Sequence, residues 1–448
     1  MTPRGDRPGR MRVVAIADAD SFVKWAAALI DSAPAVSPHL LLVKTPLVVS
    51  VAQEHAALSG TGIRPEAVTR LGYEGLADWL MHDRPDVVVV AGRGPFVRLV
   101  MRQIDRVSPR PVVVSGLPGI SIPAQRGAAL YRRQCDLMIV HSRRERRAFS
   151  DLADRLGLSL RLGLATLPFA RPAPVPSAGT DLVFAAQAIV PQEAADRVAL
   201  AGILRAAAHA DPSRRVVVKL RSRPDQGETE THFERTELTE LLRDRPENLV
   251  FSYEPMGVAL ARAEGLVTVS STAAIEAMAR GVPVIALDTF GVSKSLLNTV
   301  FVGSGVQGSA EDVVARRFRV ANERWLRNNY FHDPAESTWW ADVEELVAAR
   351  RRGDLPARPV PSPRGGLLHE AWQRKAVLGS EDRSAAGAFA MAIGAPLVWA
   401  ILRARRIFGR RGAGSWSDAA TDITVTPARY QDPIVRRVRS PLAAVVMD

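Results

Sequence analysis

Short apolar runs alternate with longer amphipathic stretches along the first part of the chain. The runs are Arg12–Ala17, Asp86–Ala91, Pro111–Ser115 and Asp136–Val140, and an amphipathic stretch, Ser21–Ile30, follows the first of them. Strands that are apolar on both faces and are separated by helices are typical of a parallel sheet covered by helices on both sides. The pattern therefore predicts an α/β domain.

A Pro-rich segment, 171–180, separates this series from a second series of the same kind. Because proline cannot continue a helix or a central strand, the segment is predicted to be an extended linker. Strands are expected at Leu182–Ala186, Arg215–Leu220, Asn248–Phe251, Gly265–Val269 and Val282–Leu287, and helices at Gln192–Ala210, Thr236–Arg243, Met256–Ala263 and Thr272–Arg280. We predict two Rossmann-like doubly wound domains, residues 1–170 and 181–349, whose strand carboxyl ends face a common cleft.

Beyond residue 349 the character of the chain changes. Residues 350–448 are a Pro- and Arg-rich tail with an uncharged, apolar stretch at 385–402. That stretch only just reaches the shortest length for a bilayer crossing and contains Pro396, so a helix packed on protein or lying on a membrane surface is expected rather than a span. The stretch is followed by Arg403, Arg405, Arg406, Arg410 and Arg411, which makes the tail a candidate for peripheral membrane contact.

Composition supports a folded protein of more than one domain. The chain has 448 residues, of which 47% are apolar and 24% charged, and it exceeds the length that one core can serve. Its single cysteine, Cys135, excludes an internal disulfide and a thiolate-rich metal site. We see no secretory signal, so a cytoplasmic location is expected, with the inner face of the membrane as an alternative.

The chain carries a formal net charge of +12. Such an excess favours anionic partners, including nucleotide phosphates, membrane lipids and nucleic acid. Arginines on the solvated helix faces of a protein from a high-GC genome would give the same excess. No basic helix interleaved with aromatic residues is present, so no specific nucleic acid is expected as a partner.

The segment with the strongest chemical pattern runs from Gly265 to Ile285. A strand predicted to end at Val269 is followed by Ser270, Ser271 and Thr272, which precede a helix. Free backbone amides and the positive end of the helix dipole make such a start suitable for an anion, and the hydroxyls can donate to phosphate oxygens. Ordinary capping by Ser or Thr is the alternative. Glu276 lies one turn further on the same face, where its carboxylate can accept both hydroxyls of a ribose.

These residues resemble the donor-binding half of GT-B glycosyltransferases, in which a helix reading Glu-Ala-x-Ala-x-Gly-x-Pro-Val follows a short polar turn. Here the motif begins at Glu276, within the helix predicted from Thr272, and leads to Gly281 and Pro283. Retaining members of the group often have a glutamate at the position of Thr268, and the serine pair is instead similar to bacterial polysialyltransferases and to capsule and teichoic-acid transferases. The resemblance implies an inverting enzyme that holds a nucleotide phosphate with Ser270, Ser271 and Thr272.

A second basic segment follows the strand that ends near Lys219. Lys219 and Arg221 could neutralise a departing phosphate, and the segment continues through Glu228 to His232. In the polysialyltransferase-like enzymes the loop carries His-Pro directly after the strand, which this chain lacks. We assign Lys219, Arg221 and Glu228 to donor binding and His232 to general-acid catalysis, with a solvated basic loop and an exposed histidine as the alternatives.

In the first domain, Asp18 and Asp20 follow the first strand at its carboxyl end. Either could be the base that deprotonates an acceptor hydroxyl, while Asp20 could instead be the N-cap of the next helix. The order of Asp18-Ala-Asp20, Gly116-Leu-Pro-Gly119, Lys219-Leu-Arg221 and Ser270-Ser-Thr272 resembles a family from high-GC bacteria that is assigned to the glycosyltransferases by its fold. The resemblance covers roughly Met11 to Tyr330.

The sequence is thus interpreted as a two-domain GT-B glycosyltransferase. It would move a sugar from a nucleotide-activated donor to a glycan, a surface polymer or a lipid-linked acceptor, with no metal and no cofactor. A sugar-nucleotide 2-epimerase of the same fold is an alternative, and so is a GT-B scaffold that binds nucleotide without turnover. A salt-dependent gel shift on random DNA would test the nucleic-acid alternative.

Overall fold

The protein is described by a computed structural model. The structure describes residues 10–170, 179–220, 237–359, 366–394 and 396. The predicted linker lies almost entirely outside these residues, and the domain boundaries predicted around it stay a prediction.

The first lobe is a parallel seven-stranded sheet in the order β3-β2-β1-β4-β5-β6-β7. The central strands β1, β4 and β5 are valine-rich and buried on both faces, as a sheet between two helical layers requires. The strands are β1 Met11–Ala17, β2 Val36–Val43, β3 Val68–Leu71, β4 Val87–Ala91, β5 Val112–Gly116, β6 Leu137–Val140 and β7 Leu162–Leu164. The helices are α1 Asp20–Asp31, α2 Val51–Leu58, α3 Leu76–Asp83, α4 Gly94–Ile104, α5 Arg126–Arg132 and α6 Arg143–Leu156.

The second lobe is a parallel six-stranded sheet in the order β10-β9-β8-β11-β12-β13. Its strands are β8 Asp181–Ala185, β9 Val216–Lys219, β10 Leu249–Ser252, β11 Ala263–Thr268, β12 Val284–Leu287 and β13 Gln307–Gly308. The helices that accompany it are α7 Ala194–Ala210, α8 Leu238–Leu241, α9 Met256–Leu260, α10 Ala273–Ala279, α11 Ala310–Val314 and α12 Glu323–Asn328. Two doubly wound sheets, the predicted fold class, are therefore confirmed.

Every strand that the apolar runs predict is present, whereas β2, β3, β7 and β13 were not expected. In β2 the first half, Val36–His39, is partly exposed and contains Pro38, so its apolar run is short. β3, β7 and β13 have four, three and two residues. Edge and near-edge strands of this kind carry too few apolar residues for periodicity to show them.

One buried apolar cluster spans the two lobes. Ala129 and Phe149 of the first lobe lie in the same buried cluster as Ile275, Val300 and Phe301 of the second. A further helix, α13 Trp339–Arg352, comes after the second sheet in the chain, yet it packs beside β5, β6 and β7 of the first lobe. Its buried side chains lie in the core of that lobe: Trp339, Trp340, Val343, Leu346 and Val347. The range 181–349 predicted for the second domain thus includes most of a helix that covers the first sheet.

A helical hairpin follows at the end of the described chain. α14, Gly366–Leu378, packs on α4 of the first lobe, where Arg98 and Arg102 pair with Glu370 at 2.9 and 2.6 Å. A helix over 385–394 packs back on α14, and it corresponds to the first part of the apolar helix predicted at 385–402. Within the described residues, no helix is both long enough and apolar enough to cross a bilayer.

Candidate functional site

The carboxyl ends of the two sheets approach each other. The loop Gly116–Gly119, called here the glycine loop, leaves β5, and the turn Ser270–Thr272, called here the hydroxyl turn, leaves β11. Gly119 lies so close to the hydroxyl turn that a Cβ on it would be 2.5 Å from Thr272 Oγ1. Because the strands of each sheet are parallel, the other residues at their carboxyl ends lie along the same two edges.

Asp18 is the first residue after β1 and is 1% exposed. Neither of its carboxylate oxygens has a hydrogen-bond partner within the described part of the chain. Burial raises the pKa of Asp18 to about 6, an effect that the positive charge of Arg93 partly opposes. A buried carboxylate without a partner is costly and rare, and a catalytic role is one of the few reasons to retain it.

Arg132 holds two loops at this edge. Its guanidinium is buried and donates to Gly92 O at 2.9 Å, Gly116 O at 3.1 Å and Ser115 Oγ at 3.1 Å. Burial lowers the pKa of Arg132 to about 10, so the group remains charged at neutral pH. The loop after β4, in which Arg93 lies near Asp18, is thereby tied to the loop after β5.

His141 follows β6 and has both ring nitrogens occupied. Trp25 Nε1 donates to His141 Nε2 at 2.7 Å, and His141 Nδ1 lies 3.0 Å from Ala165 O. Burial lowers the pKa of His141 to about 4, so the ring is neutral. The histidine therefore supports the packing of α1 and is not free to move protons.

The hydroxyl turn is held mainly by Gln187, which follows β8. Gln187 Nε2 donates to Ser270 Oγ at 3.0 Å, and Gln187 Oε1 accepts from the Ser270 amide at 2.9 Å. The Ser271 amide donates to Thr268 Oγ1 at 3.1 Å. The Ser270 and Ser271 amides and the Ser270 hydroxyl, which we expected to receive phosphate, thus have partners within the lobe.

The predicted caps differ in detail from the structure. Thr272 is the N-cap residue of α10 but makes no capping hydrogen bond with its side chain; Ser271 Oγ instead accepts from the Ala273 amide at 3.2 Å. Asp20 is the first residue of α1 rather than its N-cap, which is Ala19. The alternative role of Asp20 as N-cap therefore does not hold, because the extended backbone conformation falls one residue earlier.

The remaining predicted donor residues lie partly within the described chain. Glu276 is on α10 and lies 3.5 Å from Arg280, an ion pair one turn along the helix. Lys219 ends β9 and donates through Nζ to Leu220 O. The other three donor-side predictions, Arg221, Glu228 and His232, lie outside the described residues.

Sequence reasoning missed a buried network that connects the two lobes. Glu145, at the start of α6, accepts from the Ser121 amide at 2.9 Å, the His141 amide at 2.7 Å and the Tyr330 hydroxyl at 2.7 Å. Burial raises the pKa of Glu145, and burial together with Glu145 raises that of Tyr330. Because Ser121 lies two residues after Gly119, this carboxylate fixes the end of the glycine loop against the second lobe.

A surface hollow of about 360 Å³ lies elsewhere, beside β9, β10 and α9. Asp181, Arg215 and Tyr253 are among the residues that line it, and none of the predicted site residues does.

The sequence matches a protein family described as "Putative glycosyltransferase (DUF6716)" over residues 13–346. The chain belongs to this family. The match spans both sheets and ends inside α13, so the family covers the two lobes and leaves the C-terminal hairpin outside. No curated protein matches the chain.

The chain is similar to several solved structures at low sequence identity. A Staphylococcus aureus MnaA–UDP complex is 12% identical with a TM-score of 0.50, covering 78% of this chain and 99% of that one. UDP-GlcNAc 2-epimerase from Methanocaldococcus jannaschii is 13% identical with a TM-score of 0.48, covering 75% and 99%. A UDP-glucosyltransferase from Polygonum tinctorium is 12% identical with a TM-score of 0.44, covering 77% and 95%. At 12% identity the similarity to the MnaA–UDP complex shows the fold alone.

Proposed function

We propose that this family member transfers a sugar from a nucleotide-activated donor to a hydroxyl of a glycan, surface-polymer or lipid-linked acceptor, with inversion at the anomeric carbon. The observation that carries the proposal is the buried, unpartnered carboxylate of Asp18 on the sheet edge that meets the hydroxyl turn. With a pKa of about 6, Asp18 is ionised at neutral pH and can still accept a proton readily.

The proposed reaction is a single displacement. Asp18 takes the proton of the acceptor hydroxyl as the acceptor oxygen forms a bond to the anomeric carbon. The bond from that carbon to the donor phosphate oxygen breaks, and the nucleotide leaves with both electrons of the bond. Asp20, the first residue of α1, is the second candidate for the base.

The leaving phosphate would be received on the second lobe. We assign Ser270, Ser271 and Thr272 to this role, with the Lys219 ammonium at the same edge two strands away. For its hydroxyl to donate to phosphate, Ser270 must give up the hydrogen bond that it donates to Gln187 Oε1 at 3.3 Å, and a charge-assisted hydrogen bond to the donor replaces it. Arg221, Glu228 and His232 would add charge and a general acid, and Glu276 would bind the ribose.

Independence of a metal and a cofactor, and the location of the enzyme, are proposed from the sequence. The reaction as proposed needs no metal and no cofactor, because the cationic and hydroxyl groups of the second lobe take the charge of the leaving group. We place the enzyme in the cytoplasm, at the inner face of the membrane where a lipid-linked acceptor would be found.

A thermal-shift screen with UDP, CMP, CDP, GDP and dTDP tests the donor half of the proposal. A nucleotide about 100-fold above its Kd stabilises by about 2.7 kcal/mol, a rise of several degrees in the unfolding midpoint. We expect at least one nucleotide to give such a rise, and Ser270→Ala with Ser271→Ala to remove it. No response to any nucleotide would contradict the proposal.

The matched control for this variant is Ser50→Ala. Ser50 Oγ accepts from the Gln53 amide at 3.0 Å at the start of α2, so its loss costs a comparable hydrogen bond away from the hydroxyl turn. The control should keep the full nucleotide response. Incubation of the enzyme with the stabilising nucleotide's sugar derivative, without acceptor, separates transfer from epimerisation, because only an epimerase would convert the sugar.

A further inference from the structure

The helix over 385–394 is apolar on the side that faces away from the protein. Its buried or half-buried residues, Gly387, Ala390, Met391 and Gly394, recur at the three- and four-residue spacing of one helical face. That face packs on α14, where a Cβ on Gly394 would lie 2.8 Å from Trp372 Cδ1. The opposite face is exposed and consists of Ala385, Ala386, Ala388, Phe389, Ala392 and Ile393.

We call this exposed face the apolar ridge. Phe389 is 62% exposed and Ile393 47%. Leu367 and Leu368, in the first turn of α14, add two further exposed side chains to the hairpin at 86% and 49%. The solvent-exposed face of a surface helix is normally polar. A helix that is apolar on all sides is normally buried against protein or membrane.

The hairpin is fixed to the first lobe. Glu370 on α14 pairs with Arg98 and Arg102 of α4, and Arg374 pairs with Glu74. Val377 and Leu378 lie in the buried cluster behind β1 and β4. Whatever covers the apolar ridge is therefore held against the lobe that carries Asp18.

The charge of the adjoining sequence indicates the partner. From Ser384 to Ser417 the chain contains no Asp or Glu, and the five arginines that follow the apolar stretch, Arg403 to Arg411, are its only charged residues. Apolar residues that enter the acyl boundary beside a cluster of arginines are the combination that binds anionic lipid surfaces. A second copy of the chain would bring the same positive charges together and would be repelled.

We propose that the apolar ridge docks the first lobe on a membrane surface rich in anionic phospholipid. Phe389 and Ile393 enter the headgroup and acyl boundary, and the positive charge of the adjoining sequence favours an anionic surface. The inference deepens the proposed function, since it presents the lobe with Asp18 to an acceptor held in the membrane, but the surface itself does not depend on any reaction.

Vesicle binding of the full chain, measured without nucleotide, tests this inference. The probes are vesicles of phosphatidylcholine and phosphatidylglycerol in equal parts, and vesicles of phosphatidylcholine alone. We expect clear binding to the anionic vesicles, weaker binding to the neutral ones, and a decrease with added salt. The double variant Phe389→Ser, Ile393→Ser should bind the anionic vesicles at least about tenfold more weakly, because two large apolar side chains no longer enter the membrane.

The matched control is Val198→Ser with Val320→Ser, at valines that are 46% and 78% exposed elsewhere on the molecule. It should bind as the wild type does. Should the ridge variant lower the unfolding midpoint, Leu367→Ser with Leu368→Ser provides a second variant at exposed positions.

Three results would overturn the inference: no binding of the wild type to anionic vesicles, equal binding by the ridge variant, or a dimer in sedimentation that the ridge variant abolishes while lipid binding is absent. The nucleotide screen on the same variant keeps the two proposals apart. Loss of vesicle binding with an unchanged nucleotide response concerns only the membrane surface, whereas a missing nucleotide response in the wild type concerns only the enzyme.

Discussion

At the scale of single residues, the burial of Asp18 is unfavourable for stability and useful for chemistry. An ordinary aspartate is ionised well below neutral pH and is a weak base, whereas burial raises the pKa of Asp18 from 3.8 to about 6. The position of Asp18 at a strand end could be predicted from the sequence. Its burial could not, because burial depends on residues from distant parts of the chain, such as Arg93 after β4.

We predict that Asp18→Asn abolishes transfer and stabilises the fold. The pKa of Asp18 is higher in the folded state than in the unfolded state. The free energy of unfolding therefore falls as pH rises from about 4 to about 6, and it stays lower above pH 6. Removing the charge should raise the free energy of unfolding at neutral pH by up to about 3 kcal/mol, with no gain at pH 3. Denaturant unfolding at both pH values measures this.

The control for this variant is Asp312→Asn. Asp312 pairs with Arg317 at 2.7 Å and Arg319 at 2.8 Å, and it accepts from the Ser309 amide, so its replacement should destabilise at neutral pH. In the wild type, the transfer rate should rise through about pH 6 as Asp18 ionises. If the Asp18→Asn variant keeps the wild-type transfer rate, Asp18 is not the base, and Asp20 or another group has that role.

At the scale of elements, the contact of the glycine loop with the hydroxyl turn positions the two halves of the site. Glycine-containing loops after β4 and β5 could be found from the sequence, but their purpose could not, since turns and close approaches look alike in one sequence. Gln187 could have been found by the same rule that found Asp18, as the first strongly polar side chain after β8. The sequence predicted that free backbone amides receive the phosphate. In the structure the Ser270 amide donates to Gln187 and the Ser271 amide donates to Thr268, which could not be predicted from the sequence.

We predict that Gly119→Ala impairs transfer more than donor binding. Its Cβ would lie 2.5 Å from Thr272 Oγ1, so the loop or the turn must shift. The cost should be about 1–3 kcal/mol of stability and a reduced kcat, while the nucleotide response remains. Adding Thr272→Ala removes the colliding oxygen, and the double variant should recover stability in a double-mutant cycle.

The control for this variant is Gly127→Ala, because a Cβ on Gly127 meets nothing within 4 Å. Equal stability of Gly119→Ala and wild type would show that the contact is looser than described.

At the scale of the whole molecule, the lobes are joined by more than a linker. The apolar periodicity predicted two sheets correctly, because each buried strand has its own local signal. It did not show that Glu145 and Tyr330 meet across the lobes, 185 residues apart, or that α13 returns to the first sheet. Contacts between distant segments leave no trace in local periodicity, so these two contacts could not be predicted from the sequence.

The return of α13 leads to a prediction about the whole molecule. Trp339 is 3% exposed and lies in the core with strands of the first sheet, and the Thr338 amide donates to Leu164 O of β7 at 2.9 Å. Trp339→Ala should cost about 3–5 kcal/mol through the cavity it leaves. Hydrogen exchange followed by mass spectrometry should show the loss of protection in β5, β6 and β7 of the first lobe, before β8 and β11 of the second. Val320→Ala, at a valine that is 78% exposed, should leave exchange unchanged. Protection lost first around β11 would mean that α13 belongs energetically to the lobe it follows in sequence.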